Sequence, residues 1–265
     1  MTELRTSLAG FERDATFLLR EGSRTLRCAF SVVAAPLAAL EAAACDMLGP
    51  EEAALLTDRL APARRQSFLA GRRAAKSALS LLAPGVSSRD ISVLPGLLQQ
   101  PVVCVPGSSN LQVTLAHAGT AAIAVAHPEA CPMGVDLEHA APEQQSALSE
   151  QTTPRERALA QTVMPYDEHQ RLLLLWCLKE ALSKALRCGL TVPFSLLEVA
   201  SLEALPSGVR ARFENFSQYE GIAFCAAPFS LALVMPHTVR WEGPDDAASF
   251  QILRECLGEV AARSA

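Results

Sequence analysis

The strongest constraint on this chain is an apolar pattern over residues 168–188, taken with a short extended segment upstream of it. Leu175, Leu178, Leu182 and Leu186 recur at helical spacing and mark a face that must be buried. Trp176, Glu180, Lys184 and Arg187 fall on a neighbouring face, and Gly189 stands where it can cap the end. Upstream, residues 134–138 read GVDLE. On a strand, Asp136 and Glu138 project from one side and Leu137 from the other. Three carboxylates able to converge on one hard cation, with Lys179 and Lys184 beside them, suit phosphate chemistry assisted by magnesium.

Each piece alone has a plainer reading. Two acids on one strand face repel, which solvent tolerates. A Glu four residues before a Lys is the favoured helix surface pair, worth about 0.2–0.5 kcal/mol. His117, at a strand-to-turn junction, reads more readily as a hydrogen-bonded structural residue than as a ligand, and Trp176 as packing. The other histidines show no metal spacing. Neither GxxxxGK[ST] nor GxGxxG occurs, so a nucleotide-type phosphate must be held by metal and basic side chains.

At 265 residues, with half the chain hydrophobic, one large domain or two smaller ones can form. The net charge of -5 argues against broad nucleic-acid binding. Eight cysteines without a CxxC pair read mostly as reduced, buried small hydrophobes of a cytoplasmic protein. The first 27 residues are charged throughout and lack the apolar core of a signal peptide. The apolar runs fall short of the roughly 20 residues of a membrane helix.

Strands are expected at 26–34, 111–115, 121–126 and 134–138, with a turn over 117–120, and helices at 37–48 and Pro62–Leu82. Arg64, Arg65, Arg72, Arg73 and Lys76 of the second helix read from composition as a solvated basic face. Residues 91–110 are loop or short edge strands, and Thr153-Pro154 resembles a helix start. Four strands at 198–202, 209–213, 222–226 and 231–235 suggest an antiparallel meander, followed by a helix over 247–263. The expectation is an α+β protein of two similar halves, 1–128 and 129–265, although no residue-level repeat is visible.

The order of these pieces resembles the Sfp-type 4′-phosphopantetheinyl transferases. That family pairs a G-[IV]-D-x-E strand with a W-x-x-K-E-[AS]-x-x-K helix some forty residues later, here GVDLE and WCLKEALSKA. RRQSFLAGRRAAKSAL, from Arg64, resembles the family's basic helix, and LAHAGTAAIAVA, from Leu115, its histidine-containing segment. The resemblance implies two α+β halves about a pseudo-twofold axis, with coenzyme A in the cleft between them. It implies transfer of phosphopantetheine from coenzyme A to a serine of an apo acyl or peptidyl carrier protein, releasing adenosine 3′,5′-bisphosphate.

By the same resemblance, Asp136, Glu138 and Glu180 hold magnesium on the pyrophosphate. Lys184 contacts that pyrophosphate and helps protonate the departing oxygen, and Lys179 lies along the phosphates. Glu180 is a candidate base for the serine proton, directly or through water. His117 contacts the nucleotide, and Arg65 and Arg72 are the best matches for the 3′-phosphate or adenine end. The chain departs from the pattern at Ala116, usually serine, and at Gln100-Pro101, where many members carry a basic residue. Leu137 is not expected to touch metal. A monomeric, cytoplasmic enzyme without nucleic-acid or membrane partners is expected, serving fatty acid, polyketide or non-ribosomal peptide synthesis. The rival readings are a non-catalytic carrier-protein or coenzyme A binding module of the same fold, and an unrelated magnesium-dependent phosphotransferase.

Overall fold

A computed structural model describes residues 10–242 and 246–264. The chain forms two compact units, one of Met1–Leu19 with Thr25–Cys131, the other of Arg20–Arg24 with Pro132–Ala265. The expected division after 128 compares with one at Cys131/Pro132.

The first unit contains β1 (Phe11–Glu21), β2 (Arg24–Ala34), α1 (Leu37–Met47), α2 (Pro50–Leu55) and α3 (Pro62–Leu82). It continues with β3 (Ser92–Pro95), β4 (Pro101–Cys104), β5 (Leu111–Ala118) and β6 (Ala121–Pro128). Its main sheet runs β1-β2-β6-β5, and β3 and β4 form a separate hairpin. Sequence patterning missed β1, because its polar residues interrupt the apolar alternation. Pro62 starts α3, where its missing N–H is no loss. Ala74, Ala78 and Leu79 of α3 then bury completely against the sheet. The turn between β5 and β6 is tighter than 117–120: β5 runs through Ala118, and Gly119, at φ 58°, supplies the left-handed residue.

The basic face of α3 is not simply solvated. Lys76 is fully buried, paired with Glu52, and donates to the carbonyls of Met47, Ser88 and Ile91 at 2.8, 2.9 and 2.6 Å. Arg73 forks onto Glu12. Arg64 is exposed.

The second unit contains β7 (Gly134–His139), α4 (Gln145–Glu150), α5 (Pro154–Val163) and α6 (Glu168–Ala185). After these come β8 (Val199–Leu205), β9 (Gly208–Phe213), β10 (Tyr219–Ala226), β11 (Phe229–Pro236) and α7 (Asp246–Ser264). Its sheet runs β7-β11-β10-β9-β8, antiparallel throughout. The last four strands are the expected meander. Helix α6 packs on β7, β10 and β11 through Leu178, Ala181 and Leu182. Asp167 caps its first turn with Gln170 in a reciprocal box. Its end is set by Arg187 rather than by the expected Gly189. Arg187 takes φ 55°, and Cys188 N–H returns to Ser183 O at 3.1 Å, a Schellman closure two residues earlier.

Each unit contains the same wiring around a buried ion pair. In the first, Glu52 stands at the third position of a proline-initiated helix. It accepts from Gly49 N–H at 3.2 Å and from Val93 N–H, 41 residues on, at 3.1 Å, and pairs with Lys76. In the second, Glu156 holds the same helical position. It accepts from Thr153 N–H at 2.7 Å and from Val199 N–H, 43 residues on, at 2.9 Å, and pairs with Lys179 at 2.8 Å. One carboxylate thus fastens a helix start, the next strand and the long helix. Of the eight cysteines, all free, Cys28, Cys131, Cys177, Cys225 and Cys256 are buried. Cys104, which its apolar neighbours marked for burial, is exposed.

Candidate active site

Between residues 172 and 185, helix α6 is buried at every position except Trp176, Glu180 and Lys184, which are half-buried. These three lie four residues apart, one above the other, and form the accessible stripe of an otherwise interior helix. Two of the three, Trp176 and Lys184, reach carboxylates of β7.

Gly134 makes the approach possible. A Cβ built there would stand 1.8 Å from Ala181 O and 2.7 Å from Ala185 N. The strand can therefore touch the helix backbone only where it carries no side chain. Asp136 and Glu138 follow on the same strand face. Opposite them on β11 stand Ala232 and Ser230, small residues that leave the carboxylates room. Val135 and Leu137 point the other way into the core, at 0% and 1% exposure, which removes Leu137 from the site.

Lys184 Nζ donates to Asp136 Oδ1 at 2.7 Å, and Trp176 Nε1 to Glu138 Oε1 at 3.3 Å. Asp136 is 4% exposed, and its second oxygen, Oδ2, is buried without a hydrogen-bond partner. An unsatisfied buried carboxylate oxygen is costly. Burial, and then Asp136, push the Glu138 carboxyl up to about 7, with Glu180 adding to the rise and Trp176 and Lys184 opposing it. Burial and Asp136 also raise Glu180, against Lys184. Burial works against the charge on Lys184, but Asp136 and Glu180 outweigh it and its pKa rises. The group is an acid cluster whose members repel, held together by one ammonium.

The donor types fit a hard divalent cation. As placed, though, no three His, Cys, Asp or Glu side chains among the described residues stand close enough to hold a metal ion. The ammonium of Lys184, not a third acid, closes on Asp136.

Lys179, expected along the phosphates, faces the other way. It is fully buried and donates to Gln151 O and Glu156 Oε2, both at 2.8 Å. One residue along a helix turns a side chain by about 100°, which carries Lys179 off the Glu180 stripe. In the first unit, Arg65 donates to Glu41 Oε1 at 2.5 Å and to Thr57 O at 3.3 Å. Arg72 lies over the Phe68 ring, its Nε 3.5 Å from Glu52, and burial lowers its pKa. Both guanidinium groups already face carboxylates. His117 is exposed on β5.

Sequence reasoning missed Glu156 and Phe194. The first carried a signal, a capping box with proline at the first helical position. Phe194, whose ring stacks on Trp176 with centroids 4.7 Å apart, carried none.

Residues 132–234, which hold every member of this cluster, match the model of the 4′-phosphopantetheinyl transferase superfamily. The match covers strand β7, helix α6 and the meander as far as Val234 in β11. No curated protein matches the chain. Among solved structures, a holo-(acyl-carrier-protein) synthase from Bacillus anthracis strain Ames, in complex with CoA (3′,5′-ADP), is 20% identical. That match covers 42% of this chain and 96% of the other, with a TM-score of 0.34. The Thermotoga maritima holo-[acyl-carrier-protein] synthase is 25% identical over 49% of this chain and 69% of its own, with a TM-score of 0.28. Among the described residues, no helix is long and apolar enough to cross a membrane.

Proposed function

We propose that this protein transfers 4′-phosphopantetheine from coenzyme A to a serine hydroxyl of an apo acyl or peptidyl carrier protein, with magnesium, releasing adenosine 3′,5′-bisphosphate. The observation that carries the reading is the half-buried stripe Trp176, Glu180 and Lys184 lying over Asp136, whose Oδ2 is buried and unpartnered. The family match over the same residues supports the class of transfer.

Asp136, Glu138 and Glu180 would hold the ion, and bound magnesium would supply positive charge to the pyrophosphate oxygens. The chain's own groups do the rest. Lys184, its pKa raised, keeps its proton and presents an ammonium to charge developing on phosphate oxygens as the serine oxygen attacks. Glu180, its own pKa raised, would accept the serine proton, directly or through water. Trp176 holds Glu138 by its indole N–H. Of the residues expected at the nucleotide end, His117 is the exposed one. Lys179 is left out, since its ammonium is committed to Glu156.

The test is incubation with coenzyme A, magnesium and a panel of apo carriers. A gain of the phosphopantetheine mass on the carrier serine supports the reading. Coenzyme A binding without turnover on any carrier would favour a binding module of the same fold and overturn it.

A further inference from the structure

Trp176 is held on two sides. Its Nε1–H ties α6 to Glu138 of β7 across 38 residues of sequence. Its ring lies against Phe194, 13° from parallel. Phe194 opens a short 3₁₀ turn, Phe194–Leu197. That turn is anchored behind it: Leu197 is fully buried, and Val199 N–H is bound by Glu156. The buried Lys179 ammonium sits 5.9 Å from the Phe194 ring centroid. Trp176 also walls a cavity of about 250 Å³ together with Glu138, Leu148 and Leu173.

An indole has a single N–H donor, and its direction is fixed by the orientation of the ring. Beside an open cavity the ring could turn and take that donor away from the carboxylate. A near-parallel aromatic neighbour on an anchored turn removes that freedom. We infer that Phe194 is a positioning residue: by stacking on Trp176 it aims the indole N–H at Glu138 and fixes that carboxylate beside Asp136 and Glu180. The inference rests on the proposed function for the identity of the ion that Glu138 would meet. Partners that orient a metal-binding side chain from behind are typically worth about 10–100-fold in metal affinity or activity.

The chain has two tryptophans, so Trp241→Phe leaves Trp176 as the only emitter. In that background, magnesium is titrated at fixed coenzyme A, following both Trp176 emission and transfer to an apo carrier. Phe194→Leu keeps an apolar plug without a ring face, and Phe194→Tyr keeps the ring. The expected result is a magnesium midpoint raised about 10–100-fold in Phe194→Leu by both readouts, with turnover at saturating magnesium largely kept and Phe194→Tyr near the parent. An unchanged midpoint in Phe194→Leu overturns the inference. So does a loss of turnover at saturating magnesium with the midpoint unmoved, which marks a merely structural role. If the parent's emission responds to magnesium but no carrier is modified, the functional reading falls, and the emission midpoints alone decide the role of Phe194. A parent with no magnesium response by either readout overturns both.

Discussion

Lys184 Nζ sits 2.7 Å from Asp136 Oδ1, joining residues 48 apart in sequence, while Asp136 Oδ2 is left buried and unpartnered. One oxygen of the carboxylate is paired with an ammonium, and the other has no hydrogen-bond partner. The pair links the strand to the helix and at the same time leaves the site short of positive charge.

Lys184→Met should therefore cost stability as well as activity. It strands a carboxylate that is 5% exposed, and an unsatisfied buried acceptor costs about 1–3 kcal/mol. Urea unfolding at pH 7 measures this. Asp136→Asn keeps an acceptor for Lys184, so it should fold and lose transfer. Wild-type turnover in Asp136→Asn would refute the assignment of Asp136.

Gly134→Ala tests the contact that brings the helix to the strand. The new methyl would meet Ala181 O at 1.8 Å, a backbone atom that cannot turn aside. Overpacking of this kind costs about 1–3 kcal/mol or more. The helix must move off β7, so turnover should fall beyond what the unfolded fraction explains. An active variant with an unchanged melting temperature would show that the approach is not required.

Lys179 and Glu156 are both 0% exposed, and breaking such a pair by removing one partner costs about 3–5 kcal/mol. Lys179→Met and Glu156→Leu should each destabilise strongly, and the double variant less than the two losses added together. The KM for coenzyme A should stay near the wild-type value in any variant that folds. A raised KM without loss of stability would return Lys179 to the phosphates.

The pH dependence follows from Glu138, raised from 4.5 to about 7. Between those values the folded chain keeps a proton that the unfolded chain has released, so stability falls as pH rises through the window. In chelator, the melting temperature of the wild type should drop from about pH 4.5 to pH 7 relative to Glu138→Gln. Magnesium, which needs the carboxylate, should restore more at pH 8 than at pH 5. A wild-type curve parallel to that of Glu138→Gln in chelator would show that Glu138 does not titrate in this range.

The second unit was legible in detail because its signals are local. Leu178 and Leu182 at helical spacing gave α6, and short apolar runs parted by turn residues gave β8 to β11. Asp136, Glu138, Glu180 and Lys184 were singled out by the ordered pair GVDLE and WCLKEALSKA, and alternation on a strand and four-residue steps on a helix say which of them share a face. The first strand escaped, since Arg13, Asp14 and Arg20 break its alternation. The repeat between the units escaped for another reason. Glu52 with Lys76 and Glu156 with Lys179 are equivalent by their bonds to distant backbone amides, and the residues around them share little beyond a proline two positions before each glutamate.

Sequence alone determined helix α6, the meander and which of their residues share a face, because backbone periodicity is a property of neighbours along the chain. It could not determine which charges the core would consume. Lys179 and Lys184 read as equals in WCLKEALSKA, yet packing buries the first against Glu156 and leaves the second over Asp136. Only the tertiary structure could assign them, because burial and the partner across the gap are set by elements tens of residues away.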